Sequence, residues 1–211
     1  MADEEPIPYS LVTEEGETRE TAAGFTGKGT ATYPNGDVYE GSYADGRKSG
    51  QGVYTYRDGS AYNGNYKNGQ REGIGKFTMA ADGSFYHGSF VDGLYDGEGT
   101  MSYATTGDVY TGEWKKGLRH GTGTYIYKKG QASVTGTWQD DKIVKGRWRL
   151  SPAQDSPVFD GEFDTKYSQP IGEGVWTLSD GKKISGRYTQ NHEPSDTTDD
   201  VITKLHWATL V

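Results

Sequence analysis

The sequence predicts an all-β fold, an elongated single-layer antiparallel ribbon of about seven stacked β-hairpins. The first observation is a motif, aromatic–x–Gly–x–aromatic, that recurs at spacings of 23, 24, 24, 24, 25 and 25 residues. The second is a Gly-x-Gly pair that follows most copies of the motif in phase, with Asn-Gly and Asp-Gly pairs between them. Repetition at a fixed period of this length is typical of repeat architectures.

The motif copies extend through most of the chain. Well-preserved copies have the sequences YEGSY, YNGNY, YHGSF and YTGEW, and degraded copies have the sequences VTGTW, FDGEF and ISGRY. Chance does not produce this many copies at a nearly constant period. The copies begin at Tyr39, Tyr62, Tyr86, Tyr110, Val134, Phe159 and Ile184.

Each repeat is interpreted as a β-hairpin. In the first strand, alternation of side chains places Tyr110, Gly112 and Trp114 on one face. In the second strand, Gly123 and Tyr125 share a face by the same rule. The Asn-Gly and Asp-Gly pairs supply the positive φ angles that tight hairpin turns need. Because glycine has no Cβ, a neighbouring ring can cover its backbone, so we expect aromatic packing over glycine to replace an aliphatic core.

Two late repeats depart from the regular spacing. After Trp138 the Gly-x-Gly pair is reduced to Gly146, which comes one residue early, so the stretch DDKIVKG indicates a one-residue deletion. After Phe163 the pair comes two residues late, so the stretch DTKYSQP indicates an insertion.

The composition favours a protein that buries rings rather than aliphatic side chains. Only 32% of the residues are hydrophobic, but the chain has 16 tyrosines and 32 glycines. The absence of cysteine excludes disulfides, a thiol nucleophile and cysteine-ligated metals. The sequence MADEEPIPYS lacks the features of a secretory signal, and no apolar run approaches the roughly 20 residues that span a bilayer. We therefore expect a soluble protein of the cytoplasm.

Charge divides the chain into three predicted regions. Residues 1–23 contain seven acidic residues and one basic residue, and we interpret them as an acidic N-terminal tail. Residues 24–190 are nearly neutral and form the predicted repeat array, and residues 191–211 form an acidic linker and an apolar C-terminal docking segment. A near-neutral array lacks the basic surface of a nucleic-acid-binding domain, so nucleic acid is not an expected partner.

No catalytic, metal or cofactor site is predicted. The histidines lack the short spacing of metal ligands, and no Ser-His-Asp arrangement stands out. The Gly-x-Gly pairs recur inside predicted strands, whereas a phosphate-binding loop needs a strand–loop–helix context. The sequence therefore favours a protein that is not an enzyme. The histidines are His87, His120, His192 and His206.

Three groups of residues are candidates for partner binding. The ring side of a single-layer sheet is partly uncovered, and exposed apolar surface of this kind normally marks an interface. Residues 115–149 contain nine basic and two acidic residues, and the C-terminal stretch VITKLHWATLV is abruptly apolar. The alternatives are self-packing of the rings and a solvated hairpin edge. The predicted groove comprises Tyr54, Tyr56, Phe77, Tyr103, Trp114, Tyr125, Tyr127, Trp138, Trp148 and Trp176; the predicted basic edge comprises Lys115, Lys116, Arg119, Lys128, Lys129, Lys142, Lys145, Arg147 and Arg149; and the predicted tail anchor comprises Leu205, Trp207 and Leu210.

The array resembles the MORN repeat family (membrane occupation and recognition nexus). The family pattern Y-x-G-x-W-x-x-G-x-x-H-G-x-G is matched at every defined position by YTGEWKKGLRHGTG, and the resemblance covers about residues 24–190. It implies a twisted single-layer antiparallel ribbon of hairpins. His120 is the only histidine in the R-H-G position, which Ser49, Glu72 and Asp96 occupy in other copies.

A narrower resemblance concerns the stretch NGDVYEGSYADGRKSGQGVYTYRDGSAYNGNY and the tail DDVITKLHWATLV. Both look like the MORN-type radial spoke head proteins of motile cilia and flagella. This resemblance implies a non-catalytic scaffold of the axonemal radial spoke head that supports spoke assembly and ciliary motility. The implied partners are other radial spoke head and stalk proteins, and a second copy of the chain is a further candidate.

An alternative is a MORN adaptor that binds membrane phosphoinositides and links a lipid surface to the cytoskeleton. The basic block at residues 115–149 is its support, because clustered cations attract anionic headgroups. The acidic tails oppose it, since an anionic membrane repels them. A membrane partner is therefore not expected.

Overall fold

The computed structural model describes residues 8–194 and 201–210. Within these ranges the chain forms seventeen strands and no helix, and the strands pair in an antiparallel manner. The predicted all-β fold of stacked antiparallel hairpins is confirmed. The strands are β1 (Ser10–Thr13), β2 (Thr18–Arg19), β3 (Gly27–Thr32), β4 (Val38–Ala44), β5 (Arg47–Thr55), β6 (Ala61–Lys67), β7 (Gln70–Thr78), β8 (Phe85–Val91), β9 (Leu94–Ser102), β10 (Val109–Lys115), β11 (Leu118–Tyr127), β12 (Ala132–Gln139), β13 (Lys142–Arg149), β14 (Val158–Phe163), β15 (Pro170–Thr177), β16 (Lys183–Pro194) and β17 (Val201–Thr209).

The chain divides into two compact units. Among the described residues, the first comprises 8–105 together with 114–117, and the second comprises 106–113, 118–194 and 201–210. In the first unit, strands β3 to β9 pair in sequence order, and β1 pairs with both β2 and β3. In the second unit, strands β11 to β17 pair in sequence order. The predicted boundaries of the tails and the array stay predictions.

The hairpin turns have the geometry that their sequences predict. Between β4 and β5, Asp45 and Gly46 have φ angles of 48° and 75°. Between β6 and β7, Asn68 and Gly69 have φ angles of 51° and 88°. Positive φ at both central residues defines the tight turn whose twist matches that of the flanking strands.

A bulge follows the regular turns after β4, β6 and β8, and a shorter bulge marks the predicted deletion. Gly41 pairs with Gly52 and Tyr43 with Lys48, so three residues of β5 stand opposite one residue of β4. In the hairpin of β12 and β13, the pairing shifts by a single residue between Thr137 and Trp138. This bulge is one residue shorter, which confirms the deletion inferred from DDKIVKG.

The predicted insertion enlarges the turn between β14 and β15. Phe163 pairs with Pro170, so residues 164–169 form the turn in place of the usual two-residue connection. The Asp164 carboxylate accepts hydrogen bonds from the backbone amides of Lys166 at 2.9 Å and Tyr167 at 2.7 Å. Burial opposes the charge on Asp164, but these hydrogen bonds, together with those from the Gln190 side chain and the Gln169 amide, outweigh it and hold its pKa below the usual value.

The core consists of rings that lie over glycine backbone, as predicted. We call Tyr39, Tyr62, Tyr86 and Tyr110 the motif tyrosines, and their side chains are fully buried. The hydroxyl of Tyr39 donates to the Ser42 carbonyl at 2.9 Å, and the other motif tyrosines make the same bond to the residue three positions on. A Cβ added to Gly41 would lie 2.5 Å from the hydroxyl oxygen of Tyr39. Glycine is therefore required here by space.

The C-terminal segment is a strand of the second unit. Strand β17 pairs with β16 along its whole length, and Trp207 stands opposite Tyr188. Residues 191–194, which the sequence assigns to the linker, continue β16. The Trp207 ring lies over Gly186 and contacts the ring of Tyr188, with centroids 4.9 Å apart. The seventh motif copy thus obtains its second strand from the tail.

Candidate interaction surface

We call the face of each unit that carries the motif tyrosines the ring face. The predicted groove residues on this face differ in burial. Trp114 and Trp138 are buried, with 5% and 4% exposure, and their indole N–H groups donate to the carbonyls of Gly99 and Gly123 at 3.2 and 3.1 Å. These two rings contribute to the core. We call the remaining set the outer rings; all are half-buried except Tyr127, which is 40% exposed. The outer rings are Tyr54, Tyr56, Phe77, Tyr103, Tyr125, Tyr127, Trp148 and Trp176.

Two turn carboxylates hold outer rings in place. Asp37 accepts a hydrogen bond from the Tyr54 hydroxyl at 2.7 Å, and Asp108 accepts one from Tyr125 at 2.9 Å. Each carboxylate also accepts a hydrogen bond from a backbone amide across the turn. For Asp37 the donor is the amide of Arg57, at 2.9 Å. Burial would raise the pKa of Asp37, but these hydrogen bonds lower it below its usual value. Neither residue was predicted from the sequence, although each lies two positions before a motif tyrosine.

Cations cover the rings at one position of the repeat. Lys48, Arg71 and Tyr95 are equivalent by register, and Arg119 follows at the same position of the repeat in sequence. Tyr95 replaces the cation and stacks on Tyr86 with centroids 3.9 Å apart. The Arg71 guanidinium lies 5.4 to 5.5 Å from the centroids of three rings, and its Nη2 donates to the Gly93 carbonyl at 2.6 Å. The spacing of 23, 24 and 24 residues between these positions is the signal that reveals the set.

Arg119 belongs to this ring-covering set, although the sequence placed it on the basic edge. Its guanidinium lies 4.8 Å from the Trp138 ring and 5.4 Å from the Tyr125 ring. Its Nε donates to Asp141 Oδ1 at 3.0 Å, and its Nη2 donates to the Asp141 carbonyl at 2.9 Å. The charge of Arg119 is thus directed inward and neutralised.

The rest of the predicted basic edge is distributed between the two units. Lys115 and Lys116 belong to the first unit, and the other members belong to the second. Arg147 pairs with Asp160 at 2.9 Å, which raises the pKa of the guanidinium, and Arg149 is half-buried. The remaining members are exposed: Lys115, Lys116, Lys128, Lys129, Lys142 and Lys145.

Replacing Arg119 is expected to cost more stability than replacing Arg147. The Arg119 side chain is 19% exposed, and Arg119→Ala removes its ring contacts and both hydrogen bonds, for about 2 kcal/mol of unfolding free energy. The Arg147 side chain is 60% exposed, so Arg147→Ala should change the free energy by about 0.5 kcal/mol or less. Chemical denaturation of the two variants measures both values, and equal costs would contradict the inward role of Arg119.

The tail anchor residues differ in exposure. Leu205 and Trp207 are half-buried against β16, and Leu210 is 54% exposed. The Trp207 ring also contacts the buried ring of Phe159, with centroids 6.1 Å apart. The structure therefore places Trp207 on the chain's own array, and an anchoring role towards a partner stays a prediction.

Removing the Trp207 ring is expected to release β17 locally. Trp207→Ala deletes the contacts that hold β17 on the ring face, so its amides should exchange hydrogen faster while those of β11 to β15 keep their protection. Leu210→Ala is the matched control, because Leu210 lies in the same tail and is largely exposed. Unchanged exchange of the β17 amides in Trp207→Ala would contradict the packing role.

The part of the chain that the structure describes contains no helix able to cross a membrane. In the same residues, no group of three or more His, Asp or Glu side chains is placed to hold a metal ion.

Comparison with known proteins identifies MORN repeats in the chain. The MORN repeat model matches five segments, residues 23–38, 39–61, 62–83, 86–107 and 110–132, which together make up half of the chain. No curated protein matches the chain.

Two solved structures show low similarity. The TCP domain of SAS-4 of Drosophila melanogaster, solved in complex with a proline-rich motif of Ana2, is 16% identical with a TM-score of 0.49, over 88% of this chain and 91% of that one. A mutant TCP10 domain of Danio rerio CPAP is 18% identical with a TM-score of 0.32, over 83% of this chain and 96% of that one.

Proposed function

The chain belongs to the MORN repeat family, and from this premise we propose that it is a non-catalytic scaffold whose outer rings bind other proteins. The observation that carries the proposal is the difference between the two faces of each unit. The ring face presents half-buried tyrosine and tryptophan side chains, which offer rigid apolar area together with a polar group. The opposite face presents exposed polar residues such as Glu40, Asn63, Thr122 and Thr135 together with single exposed aliphatic side chains, Val53, Ile74 and Ile126.

The second unit offers a defined part of this surface. Tyr127, Val134, Trp148, Phe163 and Pro170 line an open pocket of about 340 Å³ on the ring face. Tyr and Trp side chains in such a pocket lose little conformational entropy when a partner covers them. An apolar side chain of a partner protein would fill it.

The setting that we propose is the radial spoke head of the ciliary or flagellar axoneme. Its support is the resemblance of the first repeats and of the tail to MORN-type radial spoke head proteins. The scaffold would bind other spoke head and stalk proteins and support spoke assembly and motility. A second copy of the chain remains a candidate for the same surface.

Affinity capture from an extract of ciliated cells tests this function, with the captured proteins identified by mass spectrometry. Tyr127→Ser removes an outer ring, and Ile126→Ser is its matched control, because the neighbouring Ile126 is 47% exposed on the opposite face. We expect the parent chain and Ile126→Ser to retain spoke head and stalk proteins, and Tyr127→Ser to retain less. Absence of spoke proteins would contradict the axonemal setting, and equal retention by both variants would contradict the ring-face contact.

Sedimentation with phosphoinositide-containing vesicles tests the alternative lipid adaptor. The exposed lysines are its support, whereas Arg119 and Arg147 are already paired with Asp141 and Asp160. We expect no sedimentation with such vesicles at physiological salt. Binding that Lys128→Gln and Lys129→Gln abolish would favour the lipid adaptor instead.

A further inference from the structure

An open pocket of about 420 Å³ in the first unit lies outside the outer rings. Its walls include Tyr9, Tyr33, Tyr43 and Lys48, with Arg47 and Glu20 at the exposed side. Tyr9 precedes β1, and Tyr33 follows β3. The stretch before β3 and the turn after β4 complete the walls. This pocket is therefore built by the N-terminal strands together with the first regular repeat.

The pocket contains a buried hydroxyl that the described residues leave unsatisfied. Tyr43 is 4% exposed, and its hydroxyl oxygen has no hydrogen-bond partner there. The hydroxyls of Tyr9 and Tyr33 are near enough to interact with it. Burial raises the pKa of both residues, and the Tyr43 hydroxyl partly offsets that rise. A buried hydroxyl without a partner is costly, so such groups usually bind a ligand or a water molecule.

Lys48 is the second donor with spare capacity. Its ammonium lies 4.4 Å from the Tyr54 ring centroid and 5.5 to 5.6 Å from those of Tyr33, Tyr39 and Tyr66. Those contacts direct its N–H groups towards ring faces, and no oxygen atom of the described residues accepts a hydrogen bond from them. Burial lowers the pKa of Lys48, and the Asp37 carboxylate opposes this lowering through space, without forming an ion pair among the described residues.

The equivalent residues show that this situation is particular to Lys48. Arg71 donates to the Gly93 carbonyl, and Arg119 donates to Asp141, so both cations have protein acceptors. Lys48 occupies the same register position and has no such acceptor among the described residues. Lys48 and Tyr43, whose hydroxyl makes no hydrogen bond of good geometry among the described residues, line one pocket.

We propose that this pocket binds a carboxylate group, with the Lys48 ammonium and the Tyr43 hydroxyl as donors to its two oxygens. A carboxylate fits better than a phosphate, because the pocket offers one half-buried cation that has no ion pair among the described residues, and it also contains the Glu20 carboxyl. The aromatic walls favour an acidic side chain whose methylene groups pack on the rings. The ligand class is therefore an aspartate or glutamate side chain of a protein.

Titration with blocked glutamate, N-acetylated and C-amidated, tests the site in the full-length chain, with blocked glutamine and inorganic phosphate as comparison probes. We expect blocked glutamate alone to shift the NMR signals of the Lys48 side chain and the Tyr43 ring. Lys48→Met should weaken binding by about tenfold, as expected for a charge-assisted hydrogen bond. Lys67→Met, at an exposed lysine outside the pocket, should leave binding unchanged. Equal binding of glutamine or phosphate would overturn the proposal.

Tyr43→Phe separates ligand binding from folding. Because the hydroxyl is unsatisfied, its removal should leave the melting temperature of the free protein unchanged or higher, while it weakens blocked-glutamate binding several-fold. A lower melting temperature with unchanged binding would show that the hydroxyl serves the fold, and would overturn the proposal.

A Glu4→Gln/Glu5→Gln variant distinguishes the source of the carboxylate. Tighter binding of blocked glutamate to this variant would show that the chain's own acidic N-terminus competes for the pocket. Unchanged binding would assign the carboxylate to a partner protein. Both outcomes support the site, and binding lost in this variant would contradict it.

Discussion

Alkaline pH is expected to unfold the first unit cooperatively, beginning above about pH 10. Burial raises the pKa of Tyr39, Tyr43, Tyr62, Tyr66 and Tyr86, in the case of Tyr62 to about 12. A phenol whose pKa is raised in the folded state contributes stability that is fully present below its unfolded pKa. That contribution is lost as the pH rises towards the folded pKa.

The size of the effect follows from the number of buried phenols. Between the unfolded and folded pKa values, each such tyrosine lowers the free energy of unfolding by about 1.4 kcal/mol per pH unit. Several acting together reach the total stability of an ordinary domain, about 5 to 15 kcal/mol, within one to two pH units. Lys48 acts in the opposite direction, since burial lowers its pKa, but it is a single group.

Chemical denaturation at a series of pH values, followed with tyrosinate absorbance, measures this effect. Tyr62→Phe should be less stable near neutral pH, because the Asn65 carbonyl loses its hydrogen bond, but its stability should fall less steeply above pH 10. Gradual ionisation of all tyrosines near pH 10 without unfolding would contradict the buried ring core.

A methyl group at Gly75 is expected to destabilise the first unit by about 3 kcal/mol. A Cβ at this position would lie 2.5 Å from Cε2 and 2.6 Å from Cζ of Tyr62. That ring cannot move aside easily, because it is fully buried and its hydroxyl donates to the Asn65 carbonyl at 3.0 Å. Gly75→Ala should therefore lower the melting temperature by several degrees.

Gly130→Ala is the matched control for this substitution. Its Cβ would have the Ala132 backbone nitrogen as its nearest neighbour, at 4.0 Å, and its φ angle does not favour glycine. Its stability should stay within about 0.5 kcal/mol of the parent. Similar losses in both variants would indicate that glycine-to-alanine changes act through the backbone rather than through the ring.

The repeat fixed most of what the sequence could predict about the fold. The period located the hairpins, and the Asp45-Gly46 type of turn and the deletion after Trp138 were confirmed because each has a local geometric cause. The pairing of β17 with β16 was not predicted, since the tail lacks the Gly-x-Gly pair. The alternation of Leu205 and Trp207 with polar or small residues in the tail is the strand signal that was missed.

The burial of the candidate surface residues was less predictable than the face of the sheet on which they lie. Alternation assigned Trp114, Trp138 and Tyr127 to one face, but only packing with neighbouring strands buries the first two and exposes the third. Arg119 was read as part of a charge block, although its register places it over rings. Comparing equivalent positions of the repeats, such as Lys48 with Arg119, distinguishes such roles from the sequence alone.

The central claim, that tyrosine rings packed on glycine backbone form the core, is tested most directly by a double-mutant cycle at Gly75 and Tyr62. Tyr62→Val is a suitable partner variant, because Val134 occupies the motif position in the fifth copy. In the Tyr62→Val background, Gly75→Ala should still lower the stability somewhat. The reason is that at Gly146, the equivalent glycine of the copy that begins with Val134, an added Cβ would lie 2.6 Å from the Thr135 carbonyl oxygen. We predict that Gly75→Ala costs at least about 1 kcal/mol less in the Tyr62→Val background than in the parent chain. An equal cost in both backgrounds would contradict the claim.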